Sequence, residues 1–182
     1  MIPEFTGAGL LPVGRFQCTM DEAQAAFVDA PRFAESTTRA DVWNRIQALL
    51  QELAALRARV PSMFLSGSFT TATLDPADGD ISPLIDVSRI QSDGTWRAVS
   101  ELLDRAKPTL HLDVLPVFWV PEALGSAAAL AGSPQARQYV CDRGRWDDFW
   151  QRYVPKLERD PFARAHAFPK RGYVEVIVDG YR

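Results

Sequence analysis

The sequence predicts an α+β fold, with a mixed β-sheet of four or five strands and helices mainly on one of its faces. The first observation is a set of short apolar runs bounded by Gly, Pro or Ser, which are typical of strands. These runs occupy residues 62–67, 80–87, 109–115 and 173–178. The second is a helical spacing of apolar residues at 42–60 and 96–106, between the runs. The third is a length of 182 residues with 47% apolar residues, which favours one globular domain over 1–182.

The longest predicted helix carries one apolar face. That face consists of Val42, Ile46, Leu49, Leu50, Leu53, Leu56 and Val60. Pro61 is expected to end the helix, because the residue before a proline disfavours helical backbone. Four arginines lie on this helix or beside it, and we interpret them as part of a solvated face. They are Arg39, Arg45, Arg57 and Arg59.

Two extensions flank a predicted core at about residues 38–120. In the N-terminal extension, 1–37, the prolines and glycines of residues 1–17 indicate an extended arm. Thr19 and Glu22 then have the spacing of a capping box, which predicts a short helix.

The C-terminal extension, 121–182, is predicted to add a helix and a last strand. Four aromatic residues follow at helical spacing, and we call them the aromatic seam. They are Trp146, Phe149, Trp150 and Tyr153. We expect the seam to pack on the core, and a surface that binds a partner protein is the alternative.

Two short motifs concentrate oxygen ligands. Gly67-Ser68 ends one apolar run, and Asp78-Gly79-Asp80 opens the next. Residues two apart on an extended chain point to the same side, so Asp78 and Asp80 can present two carboxylates to one ion. A hard cation such as Mg²⁺ prefers such ligands, usually shared with substrate phosphates. Glycine at position 67 lets the backbone approach a ligand closely.

A third carboxylate is predicted on a later strand. Over residues 109–115 apolar and polar residues alternate, which predicts a half-buried strand after a helix that ends at Pro108. Asp113 and His111 are then expected on the same face. A lone acid in such a strand needs a partner or a metal, because burying an unpaired charge is costly.

Together these residues resemble the signature of the nucleotidyltransferase superfamily, which has the polymerase-beta-like fold. The resemblance covers about residues 60–120, and the small size looks like minimal nucleotidyltransferases of bacteria and phages. It implies that Asp78, Asp80 and Asp113 bind two Mg²⁺ ions and are catalytic. It also implies that Gly67 and Ser68 hold the phosphates of a nucleoside triphosphate.

The activity implied by the resemblance is transfer of a nucleoside monophosphate to a protein, an RNA end or a small molecule. Minimal relatives often serve as antitoxins that modify a toxin partner, or act in phage conflict. The alternative is an inactive nucleotidyltransferase fold that works as a partner-binding module. The sequence leaves open which nucleotide and which acceptor are used.

Three features bear on the exact site. Pro83 interrupts the second strand, and a proline there is typical of an edge strand or a bulge. Such an irregularity would affect the exact position of the Asp80 side chain. Asp86 is the alternative metal ligand if the register shifts. Lys170 and Arg171 are cations that precede the last strand, and a solvated turn is favoured over contact with phosphates.

The composition of the chain bears on its binding partners and on its cellular compartment. A net charge of −3 argues against strong binding to duplex nucleic acid, although a local basic groove remains open. The two cysteines, Cys18 and Cys141, are expected to be free thiols in a reducing compartment. No apolar run approaches the ~20 residues of a membrane span, so we expect a cytoplasmic protein.

Overall fold

The computed structural model describes residues 1–121, 127–153 and 164–181, and it confirms the α+β class. The strands are β1 (Gly14–Thr19), β2 (Ser62–Ser66), β3 (Gly79–Asp86), β4 (Leu112–Val114), β5 (Val117–Trp119) and β6 (Gly172–Ile177). The α-helices in these ranges are α1 (Met20–Phe27), α2 (Arg39–Ala55), α3 (Asp93–Leu110), α4 (Ala127–Gly132) and α5 (Pro134–Trp150). The part of the C-terminal extension at 154–163 lies outside the described residues.

All six strands form one mixed sheet with the order β1-β6-β2-β3-β4, and β5 also pairs with β3, so the predicted number of four or five strands is too low. Strand β2 is antiparallel to both β3 and β6, whereas β3 is parallel to β4 and β5. The last strand of the chain therefore lies in the middle of the sheet, between β1 and β2. This placement brings residues near 171 beside residues near 66.

The two faces of the sheet bury separate apolar clusters, because successive strand residues point to opposite sides. On one face, Leu65, Ile81 and Val174 pack with the buried sides of α1, α2 and α3. On the other face, Phe64 and Tyr173 belong to a smaller cluster with residues of β5 and α5. Most helices thus cover one face, as predicted, and α5 covers part of the other.

The capping box at the start of α1 is confirmed. The Thr19 hydroxyl accepts from the Glu22 N–H, and the Glu22 carboxylate accepts from the Thr19 N–H. The arm predicted for residues 1–17 is wrong at its end, because β1 begins at Gly14. This strand pairs in parallel with β6, more than 150 residues later in the chain, so no local signal announces it.

Two predicted helix ends are wrong. Helix α2 stops at Ala55, well before Pro61, although Val60 is still buried in the core. Helix α3 continues through Pro108 to Leu110. Pro108 lies in the last turn of α3, so its missing N–H removes a single helical hydrogen bond close to the end of the helix. The strand predicted at 109–115 is accordingly shortened to β4.

Pro83 lies at a break in strand pairing. One side of β3 pairs with β4 through Ile81 and with β5 from Leu84 onward. Pro83 falls between these two partners, where its missing N–H interrupts no ladder on that side. Asp80 keeps regular partners on both neighbouring strands.

The interpretation of the arginines as a solvated face is wrong for Arg39, which is 1% exposed. Its guanidinium donates to five backbone carbonyls and lies 3.5 Å from the centre of the Phe33 ring. Four of these carbonyls belong to the loop between β2 and β3. They are the carbonyls of Phe69, Thr71, Thr73 and Leu74. Arg39 therefore holds the loop that joins the two predicted motifs.

The aromatic seam is divided between core and surface. Trp150 is buried and Trp146 half-buried, which agrees with packing on the core. Phe149 is 46% exposed and Tyr153 37% exposed.

The searched residues contain no helix long and apolar enough to cross a membrane.

Replacing Arg39 tests the role of this buried cation. Arg39→Met keeps most of the length of the side chain but removes every donor, which leaves several buried carbonyls without partners. We expect a loss of at least about 3 kcal/mol in the free energy of unfolding, measured by urea denaturation. The control is Arg105→Met, which removes an exposed ion pair with Glu52 and is expected to cost under about 1 kcal/mol. An equal small effect in both variants would contradict the role of Arg39.

Candidate active site

The predicted site residues meet across three neighbouring strands. Asp80 is paired in register with Ser66 on β2 and with Asp113 on β4. Paired residues on adjacent strands present their side chains on the same face of the sheet. Asp78 precedes β3 by one residue, and its charge acts on Asp80. The structure thus brings all three predicted acids to one edge of the sheet.

Gly67 is in direct contact with Asp80. A Cβ built on Gly67 would lie 1.6 Å from Asp80 Oδ2, so every other residue would collide with the carboxylate. The backbone at Gly67 has φ +67° and ψ −159°, a conformation that side chains rarely allow. Position 67 therefore requires glycine twice over, for its backbone angles and for the approach to Asp80.

Ser68 follows Gly67 directly and begins a single 3₁₀ turn over Ser68–Thr70. The Ser68 carbonyl accepts from the Thr71 hydroxyl at 2.7 Å and from the Thr71 N–H at 3.2 Å. The Thr71 hydroxyl also bonds to Thr73. These contacts and the Arg39 donors hold the loop without regular secondary structure.

Arg171 is the site residue that sequence reasoning missed. The sequence favoured a solvated turn, which is wrong for Arg171, because this residue is only 5% exposed. Its Nη2 donates to Ser66 Oγ at 2.9 Å, to the Gly67 carbonyl at 2.8 Å and to Thr70 Oγ1 at 2.8 Å. Only the position of β6 beside β2 puts this cation under the loop.

Burial lowers the pKa of Arg171 to about 10, and the charge of Asp80 opposes that shift. The guanidinium still carries its charge at neutral pH. It therefore places a fixed positive charge behind the Gly67 loop and close to the acids. Lys170, its neighbour, is exposed and agrees with the predicted solvated turn.

The carboxyl group of Asp80 is perturbed. Burial, and then the charges of Asp78 and Asp113, raise its pKa from 3.8 to about 6. The cations Arg171 and Lys107 oppose this shift. The positive charge already present is thus too little to offset burial and the two neighbouring acids. Perturbed acids of this kind concentrate at functional sites.

Asp113 forms an ion pair with Lys107 of α3. Lys107 Nζ lies 2.5 Å from Asp113 Oδ1, and the contact raises the pKa of Lys107. The Lys107 side chain is 73% exposed, so it can leave the carboxylate without disturbing the core. His111 does not share a strand face with Asp113, contrary to prediction. It ends α3 in a left-handed conformation with φ +50°.

The three acids fit a hard divalent cation in their chemistry, since carboxylate oxygens are its preferred ligands. The raised pKa of Asp80 also indicates a site short of positive charge. Within residues 1–121, 127–153 and 164–181, no group of three or more His, Cys, Asp or Glu side chains stands ready to hold an ion. The pairing of Asp113 with Lys107 works against such a group.

Asp86, the alternative metal ligand, lies at the opposite end of β3. Its carboxylate accepts from the Ser88 N–H at 2.9 Å and from the Ser88 hydroxyl at 2.6 Å. It begins the short turn after β3, and the regular pairing of Asp80 removes the shift in register that the alternative needs.

The raised pKa of Asp80 predicts a pH dependence of stability. The unfolded chain releases this proton near pH 3.8 and the folded chain near pH 6, so the folded state binds more protons between these values. Stability should therefore fall as pH rises through that window. A shift of about two pKa units corresponds to up to about 3 kcal/mol. Asp80→Asn should be more stable than wild type by up to that amount at pH 7.5, and the gain should vanish near pH 4.

Urea denaturation across this pH range measures the effect. Asp104→Asn is a matched control, because it removes an exposed carboxylate on helix α3, outside the candidate site. Its effect is expected to stay within about 0.5 kcal/mol at every pH. If Asp80→Asn is no more stable than wild type at pH 7.5, the raised pKa of Asp80 in the folded protein is contradicted.

Comparison with known proteins identifies a family. The model of DUF6932, described as a family of unknown function, matches residues 3–177, which is nearly the whole chain. No curated protein and no solved structure gives a significant match. The chain therefore belongs to the DUF6932 family.

Proposed function

We propose that this protein is a Mg²⁺-dependent nucleotidyltransferase, which moves a nucleoside monophosphate from a nucleoside triphosphate to an acceptor. The observation that supports this best is the contact between the Gly67 backbone and Asp80, with Asp78 and Asp113 on the same sheet edge. A glycine turn beside clustered acids joins a place for phosphates to a place for the cation that accompanies them. The proposal includes a cytoplasmic location, where triphosphates are available.

Each residue has a role in the proposal. Gly67 and Ser68 hold the β- or γ-phosphate through N–H and hydroxyl groups, and Arg171 fixes the loop from behind. Asp78 and Asp80 would hold Mg²⁺, and Asp113 would serve as a ligand of a second ion. Bound Mg²⁺ would offset the triphosphate charge and lower the pKa of the attacking hydroxyl.

Asp113 is the group nearest the acceptor in this scheme. The acceptor oxygen forms a bond to the α-phosphorus, and the bond from that phosphorus to pyrophosphate breaks. The hydroxyl proton passes to Asp113, once Lys107 has released this carboxylate. The acceptor is a hydroxyl of a protein, an RNA end or a small molecule, and a toxin partner is one candidate.

A second function has its own support. The ion pair between Lys107 and Asp113 occupies the third acid, and Phe149 and Tyr153 leave part of the aromatic seam exposed. These observations favour a partner-binding module that keeps the fold without catalysis. Such a protein would show no Mg²⁺-dependent response to triphosphates.

Thermal unfolding with ligands separates the two functions. For the nucleotidyltransferase, a nucleoside triphosphate with Mg²⁺ should raise the melting temperature, because a ligand of the native state stabilises it by RT ln(1 + [L]/Kd). Asp78→Asn together with Asp80→Asn should fold and lose this response. Asp104→Asn is the control and should keep it. Wild-type protein that responds to none of the four triphosphates would contradict the proposal.

Asp113 distinguishes binding from transfer in the same experiment. Asp113→Asn should keep most of the thermal response, because Asp78 and Asp80 remain. It should lose transfer of labelled nucleotide to acceptors in a cell lysate. Asp113→Glu should also transfer poorly, since displacing a catalytic group by about 1 Å can cost ~100-fold. Full transfer by Asp113→Asn would remove this residue from the mechanism.

A further inference from the structure

A second cluster of cations lies at the far end of the central strand. An open cavity of about 660 Å³ is lined by Arg57, Arg59, Ser88 and Arg89, and we call it the arginine cleft. The Asp86 N–H donates to the Arg59 carbonyl at 2.9 Å, which fixes the cleft at the end of β3. Asp80 is six residues earlier on this strand, about 20 Å away at ~3.3 Å per residue. The arginine cleft is therefore separate from the candidate active site.

The positive charge in the arginine cleft has few direct partners. Across the ranges that the structure describes, Arg57, Arg59 and Arg89 form no ion pair with a carboxylate. Arg59 donates to the Gly180 carbonyl at 2.9 Å, which positions its guanidinium.

The neighbouring acids are already engaged by other donors. Asp86 accepts from Ser88, and Asp179 accepts from the Val60 N–H at 2.9 Å. Ser88 in turn uses its hydroxyl proton on Asp86, so contact with a ligand falls mainly to the guanidiniums of the cleft. Two carboxylates offset three cations only in part.

Arg57 occupies a backbone position that favours glycine. It follows α2 with φ +59°, while the Ala58 N–H donates to the Leu53 carbonyl and the Arg57 N–H to the Ala54 carbonyl. This is the Schellman ending of a helix, in which glycine is the usual residue at the left-handed position. A residue with a Cβ is less stable than glycine in this left-handed conformation, because its Cβ crowds the following carbonyl oxygen. The stability of the helix end therefore does not explain the presence of an arginine at position 57. We look for the explanation in the positive charge of its side chain.

We propose that the arginine cleft binds the phosphate groups of a nucleotide or of a nucleic-acid strand. Guanidinium groups donate in a planar fork that matches phosphate oxygens, and they keep their charge at every physiological pH. Three of them favour a ligand with two or more negative charges. The cavity volume is within the ~300–1,000 Å³ typical of ligand sites. This site goes beyond nucleotidyl transfer and does not depend on it.

Binding is measured by titration calorimetry in EDTA, which removes the cation that the candidate active site would need. The probes are pyrophosphate, ATP and a short single-stranded RNA, with polyglutamate as a polyanion without phosphate. We expect binding of at least one phosphate probe, stronger than that of polyglutamate. Backbone amide signals of Arg57, Ser88 and Arg89 should shift in NMR spectra. Pyrophosphate or ATP as the tightest probe would indicate a small ligand, and RNA would indicate a strand.

Arg57→Gly is the decisive variant. It should lower affinity at least ~10-fold while the melting temperature stays the same or rises, because glycine relieves the left-handed position. Arg89→Gln should also lower affinity and serves if Arg57→Gly fails to fold. Arg145→Gln is the matched control, since it removes an exposed arginine of α5 and should leave binding unchanged. Absence of binding, equal binding of polyglutamate, or an equal loss in Arg145→Gln would overturn the proposal.

Discussion

The contact between the Gly67 backbone and the Asp80 carboxylate is the constraint on which the candidate site depends. It requires glycine, because a Cβ would lie 1.6 Å from Asp80 Oδ2. The same contact joins the end of β2 to the start of β3 and places Asp80 between Ser66 and Asp113. A carboxylate enclosed in this way loses solvation, which contributes most to its raised pKa. The close approach of Gly67 to Asp80 thus contributes to both the geometry and the electrostatics of the site, and the charges of Asp78 and Asp113 raise the pKa of Asp80 further.

Two buried arginines hold the segment that follows this contact. Arg171 donates to the Gly67 carbonyl, and Arg39 donates to carbonyls from Phe69 to Leu74. The guanidiniums give these loop carbonyls hydrogen-bond partners, although only one short 3₁₀ turn in the loop is regular secondary structure. Because these donors come from α2 and from the chain just before β6, the loop keeps its shape only when the whole domain is folded. A preorganised loop is what binding of phosphate groups requires.

Features with a local pattern could be predicted from the sequence. The capping box at Thr19 and strands β2 and β3 follow from residue types and spacing. Features that depend on distant partners could not. Strand β1 forms because β6 lies beside it, and Arg171 is buried because β6 lies beside β2. The structure describes the clustering of the three acids. Their roles in metal binding and catalysis remain a prediction.

Direct titration of the Asp80 carboxyl carbon by NMR tests the central claim, that the fold gathers acids in a site short of positive charge. The account predicts a midpoint near pH 6 in the absence of divalent ions. Added Mg²⁺ should lower that midpoint, because a bound cation favours the ionised form. A midpoint near the ordinary value of 3.8, unchanged by Mg²⁺, would contradict the account.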